Sequence, residues 1–133
     1  MLTDITHVTI LVENQDEALE FYTETLGLVV RDDDEFEMEG EAGRWLTVSP
    51  PGKEFPQIAL VEADTTAKRE RVGSQVGGHV NLVFQTDEFD AEYERLLDAG
   101  VTFHGEPMHN PWGTEITFED PYGNVHDLMQ ATR

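Results

Sequence analysis

The 133-residue chain contains no cysteine, which excludes disulfides and thiolate metal sites and makes a cytoplasmic setting the default expectation. It has two lysines, Lys53 and Lys68, and eight basic residues in all against 28 acidic ones, a net charge of −20. Proteins that bind nucleic acid use basic patches to displace phosphate counterions, and this sequence offers none. No stretch approaches the roughly 18 consecutive apolar residues of a membrane span. The N-terminal MLTDITHV has no basic segment followed by an apolar run, so no signal peptide is expected. Neither nucleic acid nor a membrane is expected as a partner.

What is abundant is acid, spread over the whole chain rather than gathered in a tail. Such a surface repels itself in dilute buffer and is screened at high salt. A salt-adapted surface, and with it a halophilic source, is the expectation. The length fits one domain or two small packed halves, and 38% hydrophobic content is enough for a core.

The chain repeats itself weakly. HVTILVENQDEALEFYTETLGL begins at His7, and HVNLVFQTDEFDAEYERLLDAGV begins at His79. Each reads as a strand opening on His-Val, a polar turn and an amphipathic helix ended by glycine. In the first helix Asn14 is the expected N-cap with Glu17 three residues on, and Ala18, Phe21, Tyr22 and Thr25 share a face before Gly27. In the second, Thr86 is the expected cap, and Phe89, Tyr93, Leu96 and Leu97 form the face before Gly100. Further strands are expected at 28–31, 44–48 and 57–62, then at 101–104, 115–119 and 124–129. Two strand-helix-strand-strand-strand modules result, at about 4–62 and 79–130, joined by a polar linker at 63–78. The acidic run 32–43 reads as a solvated hairpin turn or loop, and HGEPMHNPWGT (104–114) as a loop.

Alternation along the strands sorts their faces. Val8, Ile10 and Val12 should pack on the first helix, leaving His7, Thr9 and Leu11 opposite. Val80, Leu82 and Phe84 do the same in the second half, leaving His79, Asn81, Val83 and Gln85. Ile58 and Leu60 set Gln57, Ala59 and Val61 on the non-helix face, and Ile116 and Phe118 set Glu115, Thr117 and Glu119 there. A polar non-helix face with two histidines at matching places suggests the lining of a cavity. Within it Glu115 could act as a general base, since partial burial raises a carboxyl pKa. Asn81 and Thr117 on this face are expected to bind substrate, and Trp112 could stack on a planar ligand. In DPYGNVHDLMQ, face parity selects Asp127 for the cavity and turns His126 to the packed side.

These segments, with FEDPYGNVHDLMQ, resemble the vicinal oxygen chelate superfamily: glyoxalase I, extradiol dioxygenases, and the bleomycin and fosfomycin resistance proteins. The resemblance runs from His7 to about Gln130. It implies an α+β fold of two βαβββ modules forming a cup-shaped mixed sheet with the helices outside, and a homodimer. It implies metal ligands at His7, His79 and Asp127, the last lying seven residues after the Asp of the DPxGN turn. The second ligand position falls on Ala59, with Glu62 and Gln57 as other candidates. The resemblance also implies that the 104–114 segment borders the substrate, so His109 and Trp112 are expected substrate-binding residues. Two histidines and a carboxylate resemble the dioxygenase set, and imidazole suits Fe, Mn, Ni, Co and Zn alike. The implied function is a divalent-metal-dependent enzyme of glyoxalase-like (lyase or isomerase) or dioxygenase-like type acting on a small molecule. The alternative is a metal-free small-molecule binding or resistance protein of the bleomycin-binding type.

Overall fold

A computed structural model describes residues 1–132. The chain forms two compact units, one from Met1 to Val72 and one from Gly73 onward. Each holds a four-stranded mixed sheet in which the first strand runs parallel to the last, so both halves repeat one topology. No helix among the described residues is long and apolar enough to cross a membrane.

The first unit orders its strands β1 (His7–Val12), β4 (Gln57–Glu62), β3 (Glu41–Ser49) and β2 (Val29–Met38). Ile10, Val12, Leu46, Val48, Ile58 and Leu60 are buried, together with Ala18 and Tyr22 from the helical segment. That segment is α1 (Gln15–Glu20), which runs into a π-helical turn at Phe21–Thr25. Asn14 caps α1 as expected, its side-chain oxygen accepting from Glu17 N at 2.9 Å. The acidic run is not a loop: β2 extends through Asp32–Met38, and only Glu39 and Gly40 turn the hairpin. An edge strand with wet side chains tolerates acids, and the hairpin adds its own fastenings. Arg44 donates to Asp33 through Nε at 2.8 Å and to Asp16 through Nη1 at 2.7 Å, and Phe36 lies across from Gly43.

The expected linker also contains structure. Helix α2 (Thr66–Arg71) is capped by Thr65, which accepts from Lys68 N at 3.1 Å, and it has no buried residue. A helix that buries nothing leaves no apolar periodicity in the sequence.

The second unit orders β5 (Val83–Gln85), β8 (Val125–Ala131), β7 (Gly113–Glu119) and β6 (Phe103–Asn110). Strand β5 begins four residues later than the His-Val pattern suggests. Gly77 and Gly78, at φ 69° and 88°, keep the chain turning just before His79. Residues 81 and 82 already follow β8, through Asn81 N to Val125 O and Asp127 N to Leu82 O. The 104–114 segment is mostly β6, irregular between His104 and Met108, with its turn at 111–112.

Helix α3 (Phe89–Asp98) has Glu88 at its N-cap position rather than Thr86, whose hydroxyl accepts from Glu88 N instead. Phe89 and Leu96 are buried as expected, but Leu97 is exposed. Beneath α3 an aromatic cluster joins Tyr93, Phe103, Phe118 and Phe84, with Tyr93 and Phe103 in an edge contact at 4.8 Å. Pairs of this kind contribute about 1 kcal/mol each beyond the area they bury.

Candidate functional site

The last strand is positioned by the turn before it. Asp120 Oδ1 accepts from Tyr122 N and Asn124 N, both at 2.9 Å, and Oδ2 accepts from Asn124 Nδ2 at 2.8 Å. Gly123 adopts φ 87° within it, a conformation that glycine takes without strain. Buried Asp120 and Asn124 thus fix where β8 starts and which residues face which way.

His126 points to the helix side, fully buried, with its ring 5.4 Å from Phe84 and 5.6 Å from Phe118. Desolvation there lowers its pKa to about 4, with the Asp120 charge opposing. Asp127 takes the other face. Its register partners are Val83 on β5 and Thr117 on β7. It is 6% exposed, and its Oδ1 is buried without a hydrogen-bond partner. Burial raises its pKa to about 6, and the neighbouring Glu115 charge pushes it the same way.

The other candidates of this unit fall into two groups. Asn81, Glu115 and Thr117 share the Asp127 face. Asn81 Nδ2 is buried and unpartnered. Glu115 is held by the indole of Trp112, whose Nε1 donates to Glu115 Oε2 at 2.8 Å while its ring stays 60% exposed. Thr117 Oγ1 lies 3.2 Å from His104 Nδ1, and His104 Nε2 lies 3.2 Å from Glu119 Oε2. His109 belongs elsewhere. It pairs with Thr114 across β6 and β7, its Nδ1 3.0 Å from Thr114 Oγ1. There it lines a 420 Å³ cleft with Glu88, Phe89 and Gln130 at the start of α3. His79 is exposed in the segment ahead of β5.

In the first unit His7 and Gln57 are register partners, as are Thr9 and Ala59, and Thr47 flanks Ala59 from β3. Thr47, Ser49, Gln57 and Ala59 are all buried. His7 Nδ1 lies 2.9 Å from Thr6 Oγ1, while Nε2 is buried without a partner. Its ring is 5.3 Å from that of Trp45 and 6.3 Å from that of Phe55. Arg31 Nε donates to Ser49 Oγ at 2.7 Å and Nη2 donates to Pro50 O at 2.8 Å, which fixes the loop that carries Phe55. Sequence reasoning gave no role to Arg31, Ser49 or Phe55. Their link to His7 runs through a non-local strand register.

The donors that the resemblance assigns to a metal are not brought together within either unit. At the second ligand position the methyl of Ala59, 1% exposed between Thr9 and Thr47, offers no lone pair. Glu62 is exposed at the end of β4, with the opposite parity. His7 and Asp127 lie in different units, His7 beside the rings of Trp45 and Phe55 and Asp127 between Val83 and Thr117. Among the described residues no three His, Asp or Glu side chains form a metal-holding group. With a methyl at the second ligand position, the donor set lacks the second carboxylate that the resemblance to a glyoxalase-type centre calls for.

Comparison with known proteins agrees over nearly the whole chain. The protein is 35% identical over 130 residues to an uncharacterized protein of Shewanella frigidimarina, covering 98% of this chain and 95% of that one. It is 31% identical to the uncharacterized YetH of Bacillus subtilis, covering 98% of this chain and all of that protein. Among solved structures it resembles UcmS2, at 36% identity and a TM-score of 0.80, covering 97% of this chain and 98% of that one. It also resembles TnmS3, an antibiotic binding protein from Streptomyces sp. CB03234, at 32% identity and a TM-score of 0.77, covering 98% of each chain. The model of the Glyoxalase/Bleomycin resistance protein/Dioxygenase superfamily matches residues 4–128, and the chain belongs to that superfamily.

Proposed function

We propose that this protein is a metal-independent small-molecule binding protein, of the kind that sequesters or recognises an organic compound. The observation that carries the reading is Ala59. Its methyl falls where the resemblance places the second metal ligand, and it sits buried between Thr9 and Thr47 and offers no lone pair. The polar strand faces suit an organic ligand better. Taken unit by unit, the first sets buried, open hydrogen-bonding atoms of His7 and Gln57 with the rings of Trp45 and Phe55, and the second sets those of Asn81 and Asp127 with the indole of Trp112. Small-molecule sites have this composition: mostly apolar and aromatic walls with a few placed polar groups. The likeness to TnmS3, an antibiotic binding protein, supports the same reading.

The test is binding in the absence of metal. EDTA-treated protein should be stabilised by some members of a panel of aromatic natural products. A ligand at about 100 times its Kd adds about 2.7 kcal/mol to stability, which a thermal melt resolves. The same shift should persist in EDTA. Stabilisation that requires added Mn, Ni, Co, Fe or Zn would overturn the reading.

One observation favours an enzyme instead. The Asp127 carboxyl, at about 6, can carry a proton near neutral pH, and it stands unpartnered on the polar face beside Glu115. In that reading Asp127 holds the proton and Thr117 and Asn81 orient the substrate. A bound compound recovered chemically changed, with the change abolished in Asp127→Asn, would establish it.

A further inference from the structure

We propose that His7 and Gln57 form a paired subsite that selects ligands bearing a hydrogen-bond donor on an aromatic ring. This rests on the small-molecule binding reading above and specifies what the bound compound carries. The two residues are register partners on the parallel strands β1 and β4. Neighbouring strands lie about 4.8 Å apart, and paired residues share a face, so the two side chains stand next to each other. Gln57 is 4% exposed, and its Oε1 is buried with no partner. His7 Nε2 is in the same condition. Buried polar atoms are nearly always bonded, so two adjacent open ones mark a place that a ligand completes.

The chemistry of the missing group follows from the atoms left open. His7 Nδ1 is 2.9 Å from Thr6 Oγ1, which allows either tautomer. When the Thr6 hydroxyl donates to Nδ1, Nε2 carries the proton, and the open pair is one donor and one acceptor. A phenol or an aromatic amide answers both. When Nδ1–H donates to Thr6, both open atoms are acceptors, and the ligand supplies two donors. In each case Gln57 Oε1 takes a donor from the ligand. A carboxylate or an aryl ether would place lone pairs against it.

The surroundings set the rest of the ligand. The ring of Trp45, 38% exposed, and that of Phe55 flank the imidazole at 5.3 and 6.3 Å. A flat aromatic skeleton can slide against Trp45 and bring its substituent to the His7–Gln57 pair. Arg31 holds the 50–53 loop through the carbonyls of Pro50 and Lys53, so Phe55 remains in place as the second wall.

Equilibrium dialysis of metal-free protein at pH 7 against three matched probes tests this: 2-naphthol, 2-methoxynaphthalene and 2-naphthoate. 2-Naphthol should bind about tenfold or more tightly than the other two, the usual consequence of leaving a buried acceptor unpaired. In Gln57→Met, which removes the acceptor at similar volume, the preference for 2-naphthol over the ether should collapse to about twofold or less. Equal affinity of the three probes for the native protein overturns the subsite and leaves the binding reading intact. So does a preference that survives in Gln57→Met. Failure of all three probes to bind overturns both. The native comparison decides the matter by itself should Gln57→Met fail to fold.

Discussion

His126 and Asp127 are consecutive residues of β8 that face opposite sides of one sheet and titrate in opposite directions. His126 is held neutral among Phe84 and Phe118, with a pKa near 4 rather than 6.5. Asp127 is held protonated further into the neutral range, with a pKa near 6 rather than 3.8. The cause is the same in both, since burial disfavours whichever form is charged.

The pair predicts a compensated pH profile. The Asp127 contribution to stability is full below about pH 4 and is lost as pH rises through 6. The His126 contribution is full above about pH 6.5 and is lost as pH falls through 4. Each gap amounts to about 3 kcal/mol across its whole window. Between pH 7 and pH 5 the two largely offset each other. Asp127→Asn removes one side, so its stability should fall by about 1 kcal/mol more than that of the native protein over this interval. Urea unfolding at the two pH values measures the difference. A parallel loss in both proteins would mean that Asp127 titrates as an exposed carboxyl.

Ala59 offers a direct test of the ligand set. Ala59→Glu restores a carboxylate at the position where the resemblance places one, but buries it between Thr9 and Thr47. An unpaired buried carboxylate should destabilise the fold by roughly 3 kcal/mol. On the metal-independent reading, added Mn or Ni should not recover that loss. A melting temperature restored to the native value by metal would show that Ala59 alone separates this protein from a metal enzyme.

The charge of −20 predicts a salt response. At about 1 M salt the screening length falls to about 3 Å, which quenches repulsion between all but touching acids. The melting temperature should therefore rise between dilute buffer and molar KCl. The acids of β2 should contribute, since Asp34, Glu35 and Glu37 are exposed on one edge strand. Equal melting temperatures in both media would count against a salt-adapted surface and against a halophilic source.

What could be read from the sequence was what depends on near neighbours. Asn14 caps α1 because a cap is made with the N–H three residues on. Asp127 could be assigned to the polar face because Asp120 closes a five-residue turn that sets the parity of β8. The β-strand character of Asp32–Met38 was not legible, because its stability comes from pairing with β3 rather than from alternation of its own residues. Helix α2 was hidden for the related reason that it buries nothing. At the candidate site, the partnership of His7 with Gln57 depends on the β1–β4 register across 50 residues, and Phe55 reaches His7 only once that register is set. Periodicity within single strands carries none of this.

Two glycines before β5 separate steric crowding from backbone strain. Gly73 and Gly77 both adopt left-handed conformations, at φ 80° and 69°. A Cβ at Gly77 would meet nothing within 4 Å, so Gly77→Ala should lose only the conformational term, about 1 kcal/mol. A Cβ at Gly73 would lie 2.0 Å from the backbone oxygen of Tyr122, inside the turn that aims β8. Backbone cannot swing aside as a side chain does, so Gly73→Ala must displace that turn. The expected loss is roughly 3 kcal/mol, and ligand binding should weaken with it as Asp127 shifts on its face. Chemical denaturation of the two variants side by side tests the contrast. Equal losses would place the turn at a distance from Gly73 and release β8 from its control.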